Sequence, residues 1–175
     1  DWGKESAEKI AASFLKERPV WVRCNLNLAS KEEILAALKK QQVSAEQVEG
    51  FDSMLALSEY DHMEILDAFQ KGWIQVQDIS SALVGELAAP EKGSYIIDVC
   101  AAPGGKSLHL ADKMEGTGCV EARDLTYQKV ALIEENASRM GALNIKAVQW
   151  DATEFDPESE NKADLVIADL PCSGL

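Results

Sequence analysis

No stretch of about 18 consecutive apolar residues occurs in this chain, which excludes a transmembrane helix. The opening residues Asp1, Trp2 and Gly3 carry neither the basic stretch nor the apolar core of a secretory leader. Cysteine is scarce. The four present (Cys24, Cys100, Cys119 and Cys172) lie far apart, with no CxxC pair and no histidine partner pattern. Neither a metal site nor a disulfide framework is expected, and a reducing cytoplasm is the default compartment. Positive charge is also in short supply: 17 Lys and Arg stand against 30 Asp and Glu, a net charge of −13. The deficit is spread evenly, with 10 basic and 16 acidic side chains in residues 1–94 and 7 and 14 in residues 95–175. Proteins that hold nucleic acid usually present a basic surface, because phosphate neutralisation supplies much of their affinity. Any such contact here must come from a local patch or from sequence outside this chain.

What is present is ordered punctuation. Ala7, Ile10, Ala11, Phe14 and Leu15 recur at helical spacing and predict a helix over 6–17, which Pro19 ends. Residues 20–26 read as a strand. Ser30 followed three residues later by Glu33 is a capping box that opens a helix with Ile34, Leu35 and Leu38 on one face. Short strands are expected at 54–57 and 73–76, with 59–71 left unassigned. Asp78 is placed to cap a helix over 79–87, and Pro90 and Gly93 mark a linker. From Tyr95 the pattern alternates: strand 95–99, helix 107–114, strand 119–122, helix 126–140 stopped by Gly141, strand 145–150, a polar excursion 153–162, and strand 164–168. Such βα alternation predicts a mostly parallel sheet with its ligand at the carboxyl ends of the strands. The fold class expected is α/β, with a small α+β module over 1–77 and the parallel-sheet domain over 78–175. Four strands leave an open apolar edge, so the chain is expected to be part of a longer protein.

The special residues fall where that layout wants them. Asp98-Val-Cys-Ala-Ala-Pro-Gly-Gly-Lys-Ser107 joins the strand at 95–99 to the helix at 107–114. Small residues and glycine let a ligand approach the main chain, and the helix start offers N–H groups to its anionic part. Asp124, 19 residues beyond Gly105, ends the second strand, where a carboxylate can accept from ribose hydroxyls. Asp151 ends the third strand and could accept from an exocyclic amine. Singly, each reads first as a cap or turn residue; together with the cradle they suggest a site. Trp150 reads first as a core aromatic and second as a stacking face. Asp169-Leu-Pro-Cys-Ser173 follows the last strand, and a lone cysteine such as Cys172 is usually a buried small hydrophobe.

Asp98-Val-Cys-Ala-Ala-Pro-Gly-Gly-Lys106 together with Asp169-Leu-Pro-Cys-Ser-Gly174 resembles the RNA (cytosine-5)-methyltransferases of the NOL1/NOP2/Sun family. Arg18-Pro-Val-Trp-Val-Arg-Cys-Asn25 and Gly72-Trp-Ile-Gln-Val-Gln-Asp-Ile-Ser-Ser81 are similar to segments that precede the catalytic domain there, most closely in its bacterial 16S rRNA enzymes. The resemblance implies a partial Rossmann-like S-adenosylmethionine-dependent methyltransferase domain, preceded by an RRM-like, RNA-facing module. It implies that Cys100, Ala101, Ala102, Pro103, Gly104, Gly105, Lys106, Asp124, Asp151 and Asp169 bind S-adenosylmethionine. Asp124 would hold the ribose, Asp151 would sit on the adenine side, and Asp169 would lie nearest the methyl-transfer centre. Carbon 5 of cytosine becomes nucleophilic only after a thiolate adds to carbon 6. In this family that thiolate belongs to a later Thr-Cys motif, while Cys172 would assist product release. The resemblance further implies a small-subunit rRNA substrate, a NusB-like domain elsewhere in the protein, and a cytoplasmic enzyme, monomeric when full length, with no membrane or metal. The chain alone is not expected to turn over.

Two other readings compete. Gly105-Lys106-Ser107 matches the end of a P-loop, but Cys100 stands where its first glycine belongs and Pro103 removes a backbone donor from the loop. A non-catalytic RNA-binding or ribosome-assembly module would need no nucleophile, but it would have no use for cradle, carboxylates and Pro-Cys together.

Overall fold

The computed structural model describes residues 3–15 and 19–171. Helix α1 (Gly3–Phe14) buries none of its residues, and the remainder of the helix expected to reach residue 17 falls partly outside the described residues. Strands β1 (Val20–Cys24), β2 (Ser44–Gln47), β3 (Met54–Ser58) and β4 (Ile74–Val76) form an antiparallel sheet in the order β2-β3-β1-β4. Helix α2 (Lys31–Lys40) covers one face. It opens on the capping box read from the sequence, with Glu33 N–H donating to Ser30 Oγ at 3.2 Å and Ser30 N–H to Glu33 Oε2 at 2.8 Å. Its Ile34 and Leu38 close a core with Val22, Cys24, Leu55, Leu57 and Ile74. The unassigned stretch holds a 3-10 turn (Met63–Ile65) and the short helix α3 (Asp67–Gln70), completing a ferredoxin-like βαββαβ order. Strand β2 has no counterpart in the sequence reading. Ser-Ala-Glu-Gln has no alternating apolar face, and its pairing with β3 makes it a strand.

Asp78 caps α4 (Ile79–Ala88) through the Ser80 N–H at 2.8 Å, and the chain enters a parallel sheet. This consists of β5 (Tyr95–Asp98), β6 (Cys119–Asp124), β7 (Ile145–Gln149) and β8 (Leu165–Ile167), in the order β7-β6-β5-β8. Helices α5 (Gly105–Lys113) and α6 (Tyr127–Arg139) lie on one face. Leu110 and Met114 pack on Ile96 and Val120, and Ile133 packs on Ala122. The chain then returns to the other side of β5, so the strand order reverses beside β5, the position where open α/β sheets hold ligands. On the opposite face the return segment replaces a helix. Arg123, beside Glu121, donates to Asp156 at 2.8 Å and Ser159 at 2.6 Å, tying residues 156–159 onto the sheet.

The two sheets meet through polar groups, Arg23 and Asn25 among them buried and Asn27 exposed. Arg23 points away from the first core, is 1% exposed, and donates to Gln77 Oε1 at 2.9 Å and to Asp112 on α5. Asn25 Nδ2 caps the Met140 carbonyl at 3.2 Å, and Asn27 Nδ2 reaches the Asp112 carbonyl at 2.8 Å. Deleting the Asp112 carboxylate would leave the guanidinium buried and unpaired at a cost of about 3–5 kcal/mol, so the two groups are bound to each other's presence. Nearby, His109 on α5 lies so close to α4 that a Cβ on Gly85 would overlap its ring. Burial, reinforced by the Arg23 and Lys113 cations, pushes His109 down to about 3. It is therefore a neutral imidazole, whose Nε2–H is placed to donate to Glu86 Oε1 at 3.1 Å.

That neutrality has a pH signature. Between an unfolded value near ~6.5 and the folded value of about 3, the unfolded chain binds the extra proton. This group's contribution therefore falls as pH drops through that window, by about 1.4 kcal/mol per unit. Urea denaturation from pH 7 to 4.5 should show this slope, and His109→Gln should remove it.

Candidate functional site

The segment after β5 is shaped by where its backbone bonds go. Val99 N–H donates to Ile167 O at 3.0 Å and Ala101 N–H to Arg123 O at 2.8 Å, so the chain leaves the sheet still pinned to both neighbouring strands. Gly104 N–H closes a turn on Ala101 O at 2.7 Å, and Gly104 itself caps α5 at φ 104°, a conformation that glycine adopts without strain. The space above Gly105 is open, so a ligand can reach the helix start directly.

Cys100, Ala101, Ala102, Pro103, Gly105 and Lys106 line a cleft of about 200 Å³, and Asp169 closes one side. Lys106 Nζ donates to Asp169 Oδ2 at 2.7 Å across its mouth. Asp124 does not line the cleft. It is 2% exposed beneath the turn, accepting from Ala102 N–H at 3.0 Å and Leu125 N–H at 2.8 Å, with Lys129 Nζ at 3.0 Å. Burial pushes this carboxyl up, but Lys129 and the two backbone donors outweigh it and hold Asp124 below the usual carboxylate range. Asp151 is further out, its Oδ1 accepting from Thr153 N–H at 2.9 Å and Thr153 Oγ1 at 2.7 Å. It connects to the site through Trp150 N–H, which donates to Asp124 O at 2.9 Å. All four strand ends thus carry the residues the sequence singled out, but only Asp169 faces the cleft with the cradle. Trp150 is half-buried with the Arg123 guanidinium 5.3 Å from its ring, and so belongs to the return segment's face instead of the helix-packed core. Cys172 lies outside the described residues.

Sequence reasoning passed over Asp98, Ser107, Gln75 and Asp78. Asp98 lines the cleft at 1% exposure. Its Oδ2 accepts from Ser107 Oγ at 2.7 Å, while Oδ1 has no partner among the described residues. Burial raises its pKa, partly opposed by the Ser107 hydrogen bond, the Cys100 backbone N–H and the Lys106 charge. An orphaned buried acceptor costs free energy until a donor reaches it, which suits a ligand carrying an ammonium or N–H group. The signal available was an acid ending a strand just before the small-residue turn. Ser107 is fully buried on Asp98, so the hydroxyl a P-loop would offer to magnesium is already engaged. Gln75 and Asp78 come from the first sheet and the link to α4, and no linear motif connects them to the cradle. Among the described residues there is no cluster of His, Cys, Asp and Glu able to hold a metal, and no helix long and apolar enough to cross a membrane.

Comparison with known proteins matches residues 86–175 to the model described as 16S rRNA methyltransferase RsmB/F, and residues 1–63 to the RsmF/B-like, ferredoxin-like domain. The chain is 36% identical over 181 residues to a probable ribosomal RNA small subunit methyltransferase B of Bacillus subtilis, covering 99% of this chain and 39% of that protein. It is 38% identical over 110 residues to a tRNA (cytosine(72)-C(5))-methyltransferase of Pyrococcus horikoshii, covering 63% of this chain and 28% of that protein. Among solved structures, a methyltransferase homologue from Pyrococcus horikoshii superposes with TM-score 0.74 at 27% identity, covering 85% of this chain and 48% of that one. NSun6 of the same organism superposes at 0.87 and 21% identity, covering 98% and 68%, and shares the fold. The chain spans 39% of the length of the Bacillus subtilis and Proteus mirabilis relatives.

Because Asp124 clamps the turn from beneath, Asp124→Ala should lower stability at pH 7 by about 1–3 kcal/mol through the stranded Ala102 N–H. Its carboxyl is held low, so this contribution is present above an unfolded value of about 3.9 and fades as pH falls through the folded one. Urea denaturation of both proteins at pH 7, 5 and 3 should show the gap closing at the acid end.

Proposed function

The chain belongs to the 16S rRNA methyltransferase RsmB/F family, and on that footing we propose that the protein containing it methylates carbon 5 of a cytosine in small-subunit rRNA. The observation that carries the proposal is the cleft after β5, with its open approach to Gly105 and the unpartnered Asp98 Oδ1 inside it. We propose S-adenosylmethionine as its ligand. The fit is chemical: the cofactor's α-amino group would give Asp98 the donor it lacks, and the start of α5 would face its carboxylate. When bound, the cofactor supplies an electrophilic methyl group.

This chain's residues then divide the work. The turn Cys100–Gly104 gives the cofactor a close backbone seat, clamped by Asp124. Asp124 is proposed to accept from a ribose hydroxyl with the one acceptor position its three donors leave, and Asp151 is proposed for the adenine side. Asp169, held by Lys106, is at the cleft mouth, where it can accept from the amine of a target cytosine. Cys172, three residues further on, is proposed to assist release of the methylated product. The division between the small module and the cofactor domain is proposed at 77/78, where Asp78 caps α4. Arg23, Gln75 and Gln77 on one face of the small sheet are buried, with Arg23 and Gln75 bonded to the second unit. If the module contacts RNA, as proposed, it would do so away from that face, unlike the open sheet on which RRM modules stack bases. We further propose a monomeric cytoplasmic enzyme that uses no metal.

The test is incubation of the full-length protein with methyl-labelled cofactor and unmodified small-subunit rRNA, followed by mass spectrometry of nuclease fragments. Label on carbon 5 of one cytosine is expected; label on a nitrogen or ribose would overturn the proposal. Cys172→Ala in the same protein should accumulate a covalent enzyme–RNA band on a denaturing gel, and its absence with normal product release would remove the release role.

A further inference from the structure

We infer that Arg139, acting with Asn136, is a positioning residue for the cofactor cleft, fixing the wall that the small module lends to it. The inference rests on the cofactor reading proposed above. One side of the cleft does not belong to the parallel sheet: Gln75, Val76, Gln77 and Asp78 face the cradle turn across it. Between Asp78 and β5 run the ten residues of α4 and a loop, so the covalent path does not set the width of the gap. Non-covalent contacts must set it.

Several of those contacts converge on the last turn of α6. Arg139 Nη1 donates to Phe69 O at 2.8 Å and to Ile74 O at 3.2 Å, while Nη2 donates to Gln75 Oε1 and to Asn136 Oδ1 at 3.1 Å. The guanidinium also stacks over the Phe69 ring at 4.0 Å. Asn136 turns the other way and donates Nδ2–H to Pro103 O at 3.0 Å. The path from Pro103 through Asn136 and Arg139 to Gln75 therefore runs from one wall of the cleft to the other. Gly72 (φ 71°) presses its backbone against the Arg139 carbonyl, where a Cβ would overlap, so the helix end is seated from beneath as well.

A cation in the last turn of a helix is often explained by the helix dipole alone. That account needs neither three acceptors on α3 and β4 nor an asparagine on the same helix bridging to the cradle. Arginine's planar fork can serve both carbonyls and both amide oxygens at once, whereas a lysine ammonium presents three donors from a single atom. Neither Arg139 nor Asn136 lines the cleft, so their effect on a ligand is exerted through Gln75 and Pro103.

The test uses the full-length protein. Binding of S-adenosylmethionine is measured by calorimetry for wild type, Asn136→Ala, Arg139→Lys and Arg139→Met, with urea denaturation run alongside. Asn136→Ala should leave the unfolding midpoint near that of wild type and raise Kd on the order of tenfold, the effect of one displaced charge-assisted contact. Arg139→Met should raise Kd at least as much, Arg139→Lys should recover part of the loss, and a protein carrying both Asn136→Ala and Arg139→Met, measured alongside, should fall short of the product of those two singles. Wild type that binds while Asn136→Ala and Arg139→Met keep the wild-type Kd, whatever their stability, overturns this inference and leaves the cofactor reading intact. Should Arg139→Met fail to fold, Asn136→Ala decides the matter alone. Wild type that does not bind the cofactor removes both.

Discussion

An arginine withdrawn from water must be answered where it lies, and the meeting of Arg23 with Asp112 and Gln77 constrains everything else in this molecule. Burial pushes the Asp112 carboxyl up while Arg23 pulls it back, so both partners have lost much of their hydration. A buried pair of this kind is not a cheap source of stability, since apolar residues of similar volume can do as well. Its distinctive contribution is directional. A guanidinium, a carboxylate and an amide oxygen bond one another in few orientations, and here Arg23 Nε and Nη1 take one of them, setting the first sheet against α5 while Nη2 has no partner among the described residues. With the sheets so placed, β4 lies beside the end of β5 and the cleft acquires its second wall.

Local signals in the sequence carried most of the layout. The capping box at Ser30 and Glu33, the Asp78 cap and the alternation from Tyr95 onward each depend on a few neighbouring residues, and each appears in the structure. The small-residue turn was equally readable, because backbone access demands particular residue types at consecutive positions. Features built from distant residues were not readable. Strand β2 exists through pairing with β3, and Asp124's clamp on Ala102 depends on register between β5 and β6. Gln75 and Asp78 join the cleft only because two sheets meet. Asp151 shows the reverse case, a well-placed carboxylate whose own turn occupies it.

Where the cations sit bears on the acidity of the chain. Arg23, Lys106, Lys113, Arg123 and Lys146 all answer carboxylates within the fold, and Arg139 answers carbonyls and amides. Among the described residues these pairings commit much of the positive charge of a chain whose net charge is −13. Cations that already answer carboxylates or carbonyls have little left to offer a polyanion at long range, so this acidity weighs against strong electrostatic steering by these residues.

The contact of Gly85 with His109 carries a different implication. Because α4 and α5 approach closely enough for an imidazole to rest on a bare Cα, the two positions share one volume. A bulkier side chain at 85 could be accommodated only by a smaller one at 109, so drift at either site is conditional on the other. Lineages carrying alanine or serine at 85 would therefore be expected to have given up the histidine ring.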